Sequence, residues 1–263
     1  MNILKRELKV GMKTFLFWMI GMFMLIFVGM FKFIGFEGET SVMEIFDAFP
    51  RIVLAVFGMV GVDFTTLGGY YSLIAYYSML CAAIYGIHLG AGAITREGMD
   101  KTYEFIFTKP RSRTFILQRK LLAGLIYLVL FSVMTYLISL LAIKTIDTGE
   151  MLASSVVLFN LANFFVSLMF FMIAACISCY VKKDEAGMRF SNLCFLLFFV
   201  TSMIYDMLEN GGIIKIIAPF KYFAPWDILE GVLDLKFVIL CLAAAIGCYF
   251  WSVRSFRQKD LLS

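Results

Sequence analysis

The sequence predicts an all-α, polytopic membrane protein with six transmembrane helices and both termini in the cytoplasm, and three observations predict it. First, 62% of the 263 residues are hydrophobic and only 16% charged, with a mean hydropathy of +0.89. A soluble domain has too little polar surface to cover so much apolar side chain. Second, the apolar residues fall in six continuous runs close to the roughly 20 residues that an α-helix needs to cross a hydrocarbon layer. A lipid-facing barrel strand alternates apolar and polar positions, and these runs do not. Third, with the N-terminus inside, segments 1–13, 95–120, 181–189 and 254–263 hold 17 Lys and Arg against 7 Asp and Glu, leaving 6 against 12 outside. That is the positive-inside bias, and an even number of spans returns the C-terminus to the same side.

The whole chain, 1–263, reads as one transmembrane domain. Segment 1–13 sets Ile3, Leu4, Leu8 and Val10 among Lys5, Arg6, Lys9 and Lys13. It is expected to lie on the inner membrane surface, as an anchor or as a contact for a partner. The first span, 14–35, has no small-residue cleavage pattern and is expected to stay as a helix. An outer loop, 36–70, follows; in it Ile45, Phe46, Phe49, Ile52, Val53 and Val56 recur at helical spacing beside Glu44, Asp47 and Arg51. This predicts an amphipathic helix too polar for a seventh span.

The second to fifth spans are expected at 71–94, 121–143, 156–180 and 190–208. The last outer loop, 209–235, is interrupted by Pro219 and Pro225, with Phe220, Tyr222, Phe223 and Trp226 suited to an interfacial belt. The sixth span, 237–253, is short and borrows a turn from 232–236. Both outer loops read either as caps joining helices or as a lid over a substrate path.

Segment 95–120, between the second and third spans, concentrates charge, aromatics and Pro110. Met99, Tyr103, Ile106 and Phe107 share one helical face, and Asp100, Lys101, Glu104 and Thr108 lie largely on the other. Residues 97–108 are therefore expected to form a short amphipathic helix. Glu97 and Asp100 near its start and Lys109 and Arg111 beyond its end suit the helix dipole. Pro110 stops the helix. Ser112 can cap the next one, which begins near Arg113. The aromatic face can seat in a partner protein, or lie on headgroups with the basic residues gripping anionic lipid.

Polar groups inside the spans are few. His88 lies roughly 10 Å from the inner end of the second span at 1.5 Å per residue. Asn160, Asn163 and Ser167 recur at i, i+3 and i+7 along the fourth span. Such a stripe can join helices or line a substrate path. No centrally placed carboxylate pair appears, which argues against a pump that binds protons or sodium unaided, and against a stand-alone secondary transporter or channel. An intramembrane hydrolase would need a nucleophile with its base, or a metal set; one His without a carboxylate supplies neither. All six cysteines fall inside spans, so no disulfide framework is expected, and the Cys176–Cys179 pair lacks a second pair or a His for a metal. Topology explains the basic residues, so no nucleic-acid partner is expected.

Thr102, Glu104, Pro110, Ser112, Arg113 and Lys120, with Arg96 and Glu97 upstream, have the types and spacing of an E...T-x-E...P-x-S-R...K segment. This resembles the segment between the second and third helices of permease subunits of the type-2 ABC transporter family, bacterial exporter branch. NILKRELKVGMK, FPRIVLAVFGM, GGYYS and PFKYF extend the resemblance across the chain. Lys101 departs from the Gly that many members carry before the Thr.

The resemblance implies a coupling helix seated in a separate ATP-binding subunit. It also implies a pathway between two permease chains, as homodimer or heterodimer, in a bacterial cytoplasmic membrane. No G-x-x-x-x-G-K-[ST] phosphate loop occurs in the chain, so no cofactor is expected here and ATP with Mg would belong to the partner. On this reading Glu97, Met99, Tyr103, Glu104, Ile106, Phe107, Pro110 and Arg113 carry the coupling, and His88, Asn160, Asn163 and Ser167 are candidates for the substrate path. The chain itself would be non-catalytic. Its Met- and Phe-rich spans suit a hydrophobic or amphipathic cargo, such as an antimicrobial peptide or a hydrophobic drug, somewhat better than an ion.

Overall fold

The computed structural model describes residues 3–35, 48–99, 112–146, 152–181, 183–208 and 212–258. Helix α1 (Ile3–Phe23) continues through a π-helical stretch (Met24–Val28), an α-turn (Gly29–Phe31) and a 3-10 end (Lys32–Gly35). A short α2 (Arg51–Val56) follows, then α3 (Leu67–Met99), α4 (Arg113–Ile146), α5 (Ala153–Tyr180) and α6 (Asp184–Met207). Two 3-10 turns (Gly212–Ile217 and Pro219–Lys221) and α7 (Pro225–Leu229) lead into α8 (Leu235–Gln258). Six of these, α1 with its extension, α3, α4, α5, α6 and α8, are long and apolar enough to cross a membrane, and no strand occurs among the described residues. The predicted six-helix architecture is the one observed.

Local chemistry sets the helix ends. Asp63 Oδ1 accepts from the Thr65 N–H at 2.9 Å, and Thr66 Oγ1 accepts from the Gly69 N–H at 3.1 Å. This turn and N-cap start α3 at Leu67, four residues before the apolar run suggests. Ser112 Oγ accepts from the Phe115 N–H at 3.3 Å, so the expected cap opens α4. In the first loop, Pro50 is extended and stands just before α2, with a turn and a bend at residues 48 and 49. The helix seen there covers Arg51–Val56 only; Glu44, Ile45, Phe46 and Asp47 lie outside the described residues. Residues 3–13 run into the first span as one continuous helix, with Glu7 and Gly11 buried.

Helices α3 and α5 form the centre of the bundle, and α6 and α8 are the least buried of the six. The two central helices meet backbone to backbone. A Cβ on Gly90 would stand 2.0 Å from the Phe171 carbonyl oxygen, and one on Gly86 would stand 2.6 Å from that of Ser167. Gly86 and Gly90 thus form a G-x-x-x-G face that lets α5 approach closely. The outer faces carry exposed Phe17, Ile20, Leu137, Leu197, Ile239 and Phe250, as lipid-facing helices do.

At the end of the bundle away from Ile3, the last loop folds inward. Phe220 is 2% exposed and stacks on Phe170 of α5 at 5.4 Å, with Phe195 of α6 edge-on at 5.5 Å. Tyr222 stacks on Phe237 at 4.7 Å and donates its hydroxyl to the Ile216 carbonyl at 2.5 Å. Of the four aromatics assigned to an interfacial belt, only Trp226 is exposed. Pro219 and Pro225 keep the helical pieces to one or two turns, and the chain between them can then turn its side chains into the bundle.

Candidate functional site

The functional geometry begins where the charged segment joins the bundle. Helices α3 and α4 contain 33 and 34 residues. At 1.5 Å per residue each is about 50 Å long, and a hydrocarbon core takes up only about 30 Å. Both therefore extend beyond the apolar layer. Their charged ends, Arg96 on α3 and Arg113, Arg119 and Lys120 on α4, lie at the same end of the bundle as Ile3.

A buried ion cluster joins these ends. Glu7 of α1, 7% exposed, lies 3.5 Å from Arg96 and 3.7 Å from Lys120. Lys120, also buried, donates to the Ala93 carbonyl of α3 at 3.0 Å. The Tyr127 hydroxyl of α4 donates to the Leu8 carbonyl. One carboxylate thus holds two cations from two different helices. A buried ion is tolerated only with such partners, and removing one of them costs several kcal/mol. The three helix ends are held together on either side of residues 100–111.

Glu97 and Met99 fall on the last turn of α3, which continues unbroken past Ile94. Arg113 opens α4 and is exposed. Tyr103, Glu104, Ile106, Phe107 and Pro110 lie outside the described residues.

A family model of the ABC-2 family transporter proteins matches residues 1–261. The chain belongs to the ABC-2 transporter family. It is a transmembrane ABC transporter subunit and a multi-pass membrane protein. Among curated proteins, none matches the chain.

In this ABC-2 subunit Asn160, Asn163 and Ser167 line one small void that His88 does not reach. Asn160 donates to Ser132 Oγ of α4 at 3.0 Å, and Asn163 donates to Ser78 Oγ of α3 at 2.9 Å. Ser167 donates to the Phe164 carbonyl of its own helix at 2.9 Å. The three residues line a void of about 10 Å³, room for one water at most. His88 is exposed on α3, with its ring 6.0 Å from that of Trp18. The Cys176 thiol meets Cys248 and Ser252 of α8, and no group of three or more metal-ligating side chains occurs among the described residues.

Sequence reasoning missed three features. Glu7 falls within the basic segment 1–13, and its partners are 89 and 113 positions away. The Gly86–Gly90 spacing was visible in the apolar run and marks close helix contact. A second charged pair, Asp206 of α6 with Lys221 at 2.5 Å, lies mostly buried at the far end of the bundle.

Proposed function

We propose that this ABC-2 subunit is the permease of an ATP-driven exporter, working as a pair of permease chains with separate ATP-binding subunits docked on segment 95–120. The observation that carries this reading is the Glu7 cluster. The segment's two roots, Arg96 and Lys120, are fixed to each other and to α1 through one buried carboxylate. A displacement of the segment by a partner is then delivered to α1, α3 and α4 together as a rigid lever, rather than absorbed at a flexible joint. The partner supplies ATP and Mg chemistry; the permease contributes the docking face, the lever and the path.

Tyr103, Ile106 and Phe107, with Met99, supply the apolar anchor of the docking face, and Glu104 and Arg113 set its orientation. The charge count supports a cytoplasmic setting for this end of the bundle, and the exporter reading goes with a bacterial cell membrane. The cargo is hydrophobic or amphipathic. The test is Tyr103→Asp and Phe107→Asp in the assembled transporter. Both variants should insert normally, lose the co-purifying ATPase and lose transport. Normal assembly and transport in both would remove the coupling assignment.

A further inference from the structure

At the end of the bundle opposite the Glu7 cluster, a cavity of about 210 Å³ lies between α3, α5, α6 and the segment 212–229. Its inner wall is apolar, with Met79, Phe159 and Ala162. Its charged wall carries Asp206, Lys221 and Lys215. Tyr76, 9% exposed, lines it as well, and the Tyr76 hydroxyl has no hydrogen-bond partner among the described residues. A buried hydroxyl left in that state is costly and marks a position where an acceptor belongs.

The charges show which acceptor fits. The Asp206 carboxylate is already held by Lys221 at 2.5 Å, and Arg51 donates to the Asp206 backbone carbonyl at 3.1 Å. The Lys221 ammonium also lies 4.9 Å from the centre of the Tyr76 ring. Lys215 has its ammonium over the Phe237 ring at 4.7 Å and no carboxylate partner among the described residues. Two ammonium groups therefore face one carboxylate around the cavity, and positive charge is in excess. A cationic guest would have to displace Lys221 from Asp206.

We propose that this cavity binds the anionic head of an amphiphile, a phosphate or carboxylate on an apolar chain. The head accepts from Tyr76 and pairs with Lys215, and the chain lies against Met79 and Phe159. The site stands apart from the docking of an ATP-binding subunit and is tested without one.

The experiment is calorimetric titration of the purified full chain, in phosphatidylcholine nanodiscs, with decyl phosphate. Saturable binding is expected, weakened about tenfold by Tyr76→Phe and again by Lys215→Gln, the loss typical of one charge-assisted hydrogen bond. Tyr76→Phe removes only a hydroxyl without a partner among the described residues, so its thermal midpoint should be no lower than that of the parent. Inorganic phosphate should bind at least tenfold more weakly, for want of the apolar chain. Adding phosphatidylglycerol to the discs separates the sources: competition with decyl phosphate identifies a bilayer lipid as the occupant, and its absence a free amphiphile. No saturable binding, equal affinity in both variants, equal affinity for inorganic phosphate, or preferred binding of decyltrimethylammonium would each overturn the proposal.

Discussion

Replacing Glu7 with Gln keeps the size of the side chain and removes its charge, so the Arg96 and Lys120 cations then share a neutral amide. Breaking a buried ion pair by removing one partner costs about 3–5 kcal/mol. The Lys120 side chain is 3% exposed and takes the full penalty, whereas that of Arg96 is 31% exposed and partly screened by solvent. The lower end of the range, about 3 kcal/mol, is expected, equivalent to a fall in Tm of about 6–12 °C for a chain of this size. Thermal unfolding in mild detergent measures it. The double variant Glu7→Leu with Lys120→Met replaces the pair with apolar side chains and should recover most of the loss, since well-packed substitutes for buried ions are often neutral. A shift below about 0.5 kcal/mol for Glu7→Gln, the level of an ordinary surface change, would refute the claim that this cluster holds the three helix ends together.

Two further outcomes follow from the packing. Gly90→Ala puts a methyl group 2.0 Å from a backbone oxygen. Carbon and carbonyl oxygen settle no closer than about 3.3 Å, so α3 and α5 must separate by roughly 1.3 Å, at about 1–3 kcal/mol for overpacking; chemical denaturation would register it, and an unchanged midpoint would contradict the close contact. Phe220→Ala empties a site between Phe170, Phe195 and Phe199 and should cost about 3–5 kcal/mol, with protease cleavage appearing first in segment 212–229. A stable, protease-resistant variant would show that the last loop is not anchored in the bundle.

The spans were legible because each run of apolar residues has only one use in lipid, and the helix that Ser112 caps was legible because its first donors need a nearby oxygen. The inward fold of PFKYF was not legible, since Phe220 and Tyr222 look alike whether they face lipid or Phe170 and Phe237. The same limit hid the pairing of Asp206 with Lys221 and of Glu7 with Arg96 and Lys120: a charge near a helix end reads as solvated until tertiary structure brings a partner from a distant helix. The extension of α1 back to Ile3 was hidden for that reason, because Glu7 and the lysines around it masked a helix face that is buried. Asn160 and Asn163 were legible as a stripe, and their partners Ser132 and Ser78 could be named only once the neighbouring helices were placed.

The most direct measurement is photo-crosslinking from position 107, with a photoreactive amino acid in place of Phe107, in native membranes. The account predicts a covalent adduct between this chain and an ATP-hydrolysing polypeptide, lost on Tyr103→Asp. Adducts with lipid alone, or with another copy of this chain alone, would contradict it.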